Sequence, residues 1–177
     1  MTVRDLHESL VARLQSGEEL SIPRLKETLK EITEQLAALF RADRPIRELV
    51  NGRALLIDTI LQHLWQDHIG EQQATLVAVG GYGRAELHPA SDIDLLILTT
   101  GDPSALAEQI ESLIVFLWDI GLEVGHSVRS LEQCVDEARA DITVVTNLVE
   151  SRLLTGDPAL YEQLDRETGP DRIWSTR

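Results

Sequence analysis

Residues 76–98 hold the feature that most limits what this chain can fold into. An apolar, β-branched run ends in Gly80 and Gly81, ten residues follow, and a second apolar run begins around Asp92 and Asp94. Because successive side chains of a strand point to opposite faces, two aspartates one residue apart project from the same face. The segment therefore predicts two strands joined through a glycine turn, with paired carboxylates where the second strand starts.

This pairing of glycines and carboxylates is typical of a site for phosphoryl or nucleotidyl transfer. Glycine lets the backbone approach phosphates closely, and carboxylates hold divalent cations against a triphosphate. In most sequences such acids are solvated edge charges and such glycines form only a tight turn. Here Asp92 and Asp94 interrupt an apolar run, and two ionised carboxylates so close repel unless a cation compensates them. Their hard oxygen atoms favour Mg²⁺ or Mn²⁺ over zinc.

Two neighbouring side chains are candidates for binding phosphate. Arg84 can direct its planar guanidinium fork at a phosphate group. Ser91 either donates to a phosphate or caps the turn, and the sequence leaves both roles open. The glycine segment lacks the third glycine of a dinucleotide-binding fingerprint, and the chain has no GK[ST] phosphate loop. These two familiar nucleotide-binding motifs are therefore excluded.

Periodic apolar residues predict the elements around this segment. One amphipathic helix is expected from Ser21 to about Asp43, and another over 46–65, so that the first 70 residues are helical. Strands are predicted at 75–79, 93–99 and 122–128. Further helices are predicted from Asp102 to Gly121 and from Ser130 through Ala138, where Ser130 and Gln133 form a capping box. A last helix is predicted over 142–154, although a β-branched run leaves that assignment ambiguous.

Charge, cysteine content and hydropathy narrow the class of protein. The net charge is -14, with 16 basic residues among 30 acidic ones, which argues against a nucleic-acid-binding surface. The single cysteine, Cys134, excludes an internal disulfide, and a structural zinc site of the CxxC type has no partner for it. No signal-peptide pattern or run of about 20 apolar residues is present. We expect a cytoplasmic protein without a membrane partner.

Several longer strings carry a family resemblance. The run VAVGGYGRAELHPASDIDLLIL resembles the signature of the DNA polymerase β-type nucleotidyltransferase superfamily. The strings GGYGR, ELHP, SDIDLL, LEVGHSVRS and TNLVESRLLTG together are similar to the N-terminal part of the bacterial PII uridylyltransferases, which are also uridylyl-removing enzymes. The resemblance runs from about residue 20 to the C-terminus, and it implies that the chain is a truncated member of that family.

The resemblance implies a specific reaction. UMP would pass from UTP to a tyrosine hydroxyl of the PII signal protein, with release of pyrophosphate and with Mg²⁺ required. Asp92 and Asp94 would hold the metal, while Gly80 and Gly81 would contact the β and γ phosphates. Such sites often add a third carboxylate on a neighbouring strand, for which Glu123 is the candidate.

Some alternatives stay open at this point. Asp119 is the second candidate for the third carboxylate, and no residue separates UTP from ATP as the donor. The chain could also be an adenylyltransferase for another protein, or a catalytically silent nucleotide-binding module. It is too short to hold the hydrolase and glutamine-sensing domains of the full-length family, so neither uridylyl removal nor glutamine sensing is expected of it.

The expected fold class is α+β, in the form of a nucleotidyltransferase fold with a small mixed β-sheet backed by helices. Residues 1–70 are predicted to form an N-terminal helical extension, 71–156 the nucleotidyltransferase core, and 157–177 the start of a following helical segment. Sequence alone does not give the strand order. It also does not say whether the N-terminal helices dock on this sheet.

Overall fold

The computed structural model describes residues 1–70 and 74–173. Three helices come first, α1 (Val3–Leu14), α2 (Ile22–Arg41) and α3 (Ile46–His68). Two of the predictions adjoin residues outside the described ranges, namely the domain boundary at 70/71 and the end of the segment 157–177. Where the prediction can be compared, α2 and α3 begin at the predicted positions and end within about one turn of them.

A four-stranded mixed sheet follows. Its strands are β1 (Ala74–Ala78), β2 (Ile93–Thr99), β3 (Val124–Ser130) and β4 (Arg152–Gly156), in the order β3-β2-β1-β4. β1 is antiparallel to both β2 and β4, while β2 and β3 are parallel. The predicted α+β class with a small mixed sheet is confirmed.

The remaining helices connect and cover these strands. The glycine turn between β1 and β2 contains a single helical turn, α4 (Gly80–Gly83), and a 3₁₀ turn at Pro103–Leu106 leads into α5 (Ala107–Asp119). α6 (Leu131–Ala140) begins with the predicted capping box, because Gln133 N–H donates to Ser130 Oγ at 3.2 Å and Ser130 N–H donates to Gln133 Oε1 at 2.9 Å. The chain continues through α7 (Ile142–Val149), α8 (Pro158–Thr168) and α9 (Pro170–Ile173).

The prediction of one helix over 142–154 is wrong in its second half. The helix ends at Val149, and residues from Arg152 onward form β4. β4 pairs with β1, with Leu153 opposite Val77, and so satisfies the outer backbone groups of β1. Local periodicity could not reveal this strand, because its stabilising partner lies more than seventy residues earlier in the chain.

Helices cover both faces of the sheet. The larger core joins α1, α2, α3 and α5 to one face, which includes Leu76 and Leu95. A smaller core joins α6, α7 and α8 to the other face, at Val77 and Leu96. The N-terminal helices therefore pack on this sheet, and Gln62 of α3 donates a hydrogen bond to the Leu154 carbonyl at 2.9 Å. Among the described residues, no helix combines the length and apolar character needed to cross a membrane.

Candidate functional site

The glycine turn lies directly against the acidic pair. The Val79 N–H donates to the Asp94 carbonyl at 3.0 Å, which holds the end of β1 beside the start of β2. Gly80 has φ +59°, a conformation that glycine adopts without steric cost. A Cβ atom at Gly80 would stand 3.4 Å from Asp94 Oδ2, so this glycine leaves the carboxylate exposed to the space above the turn. Sequence reasoning placed these two motifs near each other, and the structure brings them into contact.

Asp94 is the one position of β2 that is not buried. Ile93 and Leu95 on either side of it point into the core, so Asp92 and Asp94 share the opposite face. Partial burial raises the pKa of Asp94, and the negative charge of Asp92 raises it further. Both effects disfavour the ionised carboxylate, and a bound cation would reverse them.

Two shallow cavities meet at Asp94. The loop-side cavity, of about 340 Å³, includes Gly81 and Asp92. The strand-side cavity, of about 250 Å³, includes Gly80 and Gly125. Between them, the two cavities are lined by most of the residues that the sequence predicts for the site, namely Gly80, Gly81, Arg84, Ser91, Asp92 and Asp94.

Glu123 and Asp119 line neither cavity. Glu123 is exposed just before β3, and its carbonyl accepts a hydrogen bond from the Ile93 N–H at 2.9 Å. Asp119 is exposed at the last position of α5. Among the described residues, no three aspartate, glutamate, histidine or cysteine side chains gather as a metal-ligating group. The assignment of a third carboxylate therefore stays a prediction.

Gly125 occupies the position beside Asp94 in the sheet. The two residues are in register between the parallel strands β2 and β3. A Cβ atom at Gly125 would lie 2.9 Å from Asp94 Oδ1, closer than side chains normally approach. The glycine thus leaves room for the carboxylate of its neighbour.

Arg84 lines the loop-side cavity but is engaged with acidic side chains. Its Nη1 donates to Glu150 Oε2 at 2.7 Å, and its Nε lies 3.7 Å from Glu86 Oε2. All three side chains are partly exposed, so these surface ion pairs are weak. A phosphate in the cavity could replace either carboxylate as the partner of Arg84.

Asn147 is a site residue that the sequence did not single out. It lies on α7, its Oδ1 is 3.9 Å from where a Cβ atom of Gly80 would stand, and it lines the strand-side cavity together with Asp94. Ser127 lines the same cavity, because the alternation of side chains along β3 places it on one face with Gly125. Asn147 lies within the string TNLVESRLLTG, but the resemblance assigned it no role, because α7 reaches the site only through tertiary packing.

Known proteins resemble this chain over most of its length. A family model described as a nucleotidyltransferase domain matches residues 57–154, which span α3 to β4. A protein of Ectopseudomonas mendocina is 46% identical over 159 residues, and one of Azotobacter vinelandii is 48% identical over the same length. A third, from Pseudomonas aeruginosa, is 46% identical. All three are named bifunctional uridylyltransferase/uridylyl-removing enzymes.

The alignments cover much more of this chain than of its relatives. Each alignment includes 88% of this chain but only 18% of the curated relative. The chain therefore spans less than a fifth of the length of the proteins it resembles.

Proposed function

The chain belongs to the nucleotidyltransferase domain family, and on that basis we propose that it transfers UMP from UTP to a tyrosine hydroxyl of the PII signal protein, releasing pyrophosphate. The observation that carries the proposal is the contact between Gly80 and Asp94, with Asp92 on the same face. The names of the relatives favour uridylyl transfer within this family. The cytoplasmic setting expected from the single cysteine stays a prediction.

The acidic pair suits Mg²⁺. Mg²⁺ in proteins is commonly held by one or two carboxylates and completed by substrate phosphates and water, so two aspartates suffice. The raised pKa of Asp94 fits the same interpretation, because burial and, to a smaller extent, the charge of Asp92 both disfavour its ionised form. When bound there, the cation would neutralise the pyrophosphate leaving group and lower the pKa of the attacking hydroxyl.

The other site residues would position the nucleotide. We propose that the backbone at Gly80 and Gly81 contacts the triphosphate, and that Arg84 exchanges Glu150 for a phosphate oxygen. Ser91 lines the same cavity and can donate its hydroxyl there. The tyrosine oxygen then bonds to the α-phosphorus as the bond to pyrophosphate breaks, and the hydroxyl proton leaves to solvent. Catalysis of this kind depends on positioning and charge stabilisation.

The choice of nucleotide and acceptor can be tested together. The chain is incubated with Mg²⁺ and purified PII, and with either UTP or ATP, and the PII peptides are analysed by mass spectrometry. We expect a tyrosine peptide that gains the mass of UMP, and little or no AMP adduct. An AMP adduct alone would make the chain an adenylyltransferase. No adduct with either nucleotide would contradict the proposed transfer, and retained binding of UTP in that case would identify a silent nucleotide-binding module.

Gly125→Ala should slow the reaction while the protein remains folded. The added methyl group would stand 2.9 Å from Asp94 Oδ1, so the carboxylate must move. Displacement of a reacting group by about 1 Å can cost roughly 10²-fold in rate, so we expect a loss of that order in kcat. Initial rates and a thermal melt check this result, with Gly101→Ala as the control because nothing lies within 4 Å of that Cβ position. Equal rates for the two variants would contradict the expectation.

Asn147→Ala should weaken nucleotide binding. If the amide contacts the nucleotide across the strand-side cavity, its loss removes one hydrogen bond to a charged ligand, and the KM for UTP should rise about tenfold. The matched control is Thr146→Ala, because Thr146 is exposed on the same helix and its hydroxyl bonds only the Ile142 carbonyl in the described structure. A UTP KM that is unchanged in Asn147→Ala would remove this residue from the site.

A further inference from the structure

A partly buried ion pair lies beneath the glycine turn, with the Asp58 carboxylate less exposed than the Arg152 guanidinium. Arg152, the first residue of β4, donates from Nη1 to Asp58 Oδ2 at 2.5 Å and from Nη2 to Asp58 Oδ1 at 3.2 Å. Asp58 belongs to α3 and is only 8% exposed. This two-point contact ties the N-terminal helices to the edge strand of the sheet at the level of the site.

The same arginine also holds the backbone of the glycine turn. Its Nη2 donates to the Tyr82 carbonyl at 3.2 Å, and its Nε donates to the Gly83 carbonyl at 3.3 Å. The guanidinium carbon lies 5.4 Å from the centre of the Tyr82 ring. Asp58 completes the arrangement by accepting a hydrogen bond from the Tyr82 hydroxyl. Burial raises the pKa of Tyr82, and the charge of Asp58 raises it further, so the hydroxyl stays a donor.

Few side chains of the turn itself pack into the core. Three of the four residues of α4 are glycines, which have no side chains to pack into a core. Tyr82 is the exception, and its ring is buried beside Arg152. The position of the turn relative to Asp94 therefore depends on contacts made to its backbone and to this one ring.

We propose that Asp58 and Arg152 are positioning residues, which hold the glycine turn against Asp94 in the arrangement that the nucleotide requires. The inference rests on the proposed function. An ion pair that is withdrawn from water, as the Asp58 end of this one is, is often no more stabilising than apolar side chains of the same volume, so stability alone does not account for it. A planar guanidinium with several fixed donors instead sets both distance and direction, and here two of its donors reach carbonyl groups of the turn.

Arg152→Lys and Asp58→Asn test this role through steady-state kinetics. Lysine keeps the positive charge but cannot hold both oxygens of Asp58 and two carbonyls at once. We expect the KM for UTP to rise about tenfold in each variant, while the KM for PII changes less than twofold, because the displaced turn faces the nucleotide. Titration of each variant with Mg²⁺ and UTP in the absence of PII should show the same weakening.

Leu10→Ala serves as the control for lost stability. Leu10 is buried in α1, which packs mainly on α3, so its truncation should destabilise the fold while the contacts of Arg152 and Asp58 with the turn stay in place. The positioning role requires that this variant keep its UTP KM. An unchanged UTP KM in folded Arg152→Lys and Asp58→Asn would overturn the inference, as would failure of both variants to fold. A wild-type chain that transfers no UMP would instead refute the proposed function.

Discussion

Replacing Asp94 by asparagine is expected to abolish nucleotidyl transfer while leaving the fold intact. The amide has the shape of the carboxylate but carries no charge to hold a divalent cation, and losses of roughly 10³-fold or more follow when such a charge is removed. Asp92→Asn should have the same effect, because the two acids share one face at the glycine turn. Initial rates of UMP transfer measure this loss.

The Asp94→Asn variant is also expected to be at least as stable as the wild type when no metal is present. Burial and Asp92 raise the pKa of Asp94 above 3.8 in the folded chain, so the folded state binds more protons than the unfolded state just above that pH. Stability of the metal-free wild type therefore falls as pH rises from the unfolded pKa through the folded pKa. Asp94→Asn removes this penalty, and its melting temperature at pH 7 without metal should equal or exceed that of the wild type.

A distant carboxylate provides the control for both measurements. Glu8 is exposed on α1, and its 3.9 Å ion pair with Arg4 is a weak surface contact, so Glu8→Gln should change neither the rate nor the melting temperature. Transfer that persists in the Asp92→Asn, Asp94→Asn double variant would contradict the assigned role of the pair. Glu123→Gln and Asp119→Asn, measured beside it, would show which of those two acids contributes to the reaction.

Gly83→Ala is expected to have the largest effect on stability. A Cβ atom there would lie 1.9 Å from the Glu150 carbonyl oxygen and 3.2 Å from the Ala78 carbonyl oxygen, and neither backbone group can swing aside as a side chain could. Overpacking of this kind costs about 3 kcal/mol when the backbone must shift. The shift would also move the glycine turn away from α7, so the variant should lose most of its transfer activity.

Urea unfolding measures this effect against a matched substitution. Gly101→Ala adds the same methyl group where nothing lies within 4 Å, so its free energy of unfolding should stay within about 0.5 kcal/mol of the wild type. A Gly83→Ala variant as stable as Gly101→Ala would show that the close contact between α4 and Glu150 is absent in solution.

The sequence predicted the parts of this molecule that depend on neighbouring residues. The capping box at Ser130 and the full extent of β2 are both set within a few positions along the chain, and the structure confirms them. The contact between the glycine turn and Asp94 was foreseeable because ten residues separate Gly81 from Asp92. The glycine and aspartate motifs, with the alternation of side chains along a strand, were sufficient to predict it.

The features that the sequence did not predict depend on contacts between residues that are far apart along the chain. β4 forms because β1 offers a free edge, although its own residues also fit a helical pattern. Asp58 and Arg152 are 94 residues apart, and nothing in either neighbourhood indicates that they pair. Asn147 reaches the site only because α7 packs beside the turn. Pattern arguments do not determine contacts of this range.

The position of the label in UTP tests the central claim most directly. The wild-type chain is incubated with PII, Mg²⁺ and UTP labelled at either the α or the γ phosphorus, with a parallel reaction in EDTA. Nucleotidyl transfer at the acidic pair predicts that the α label enters PII only when Mg²⁺ is present, and that the γ label leaves as pyrophosphate. Entry of the γ label into PII, or α labelling that persists in EDTA, would contradict it.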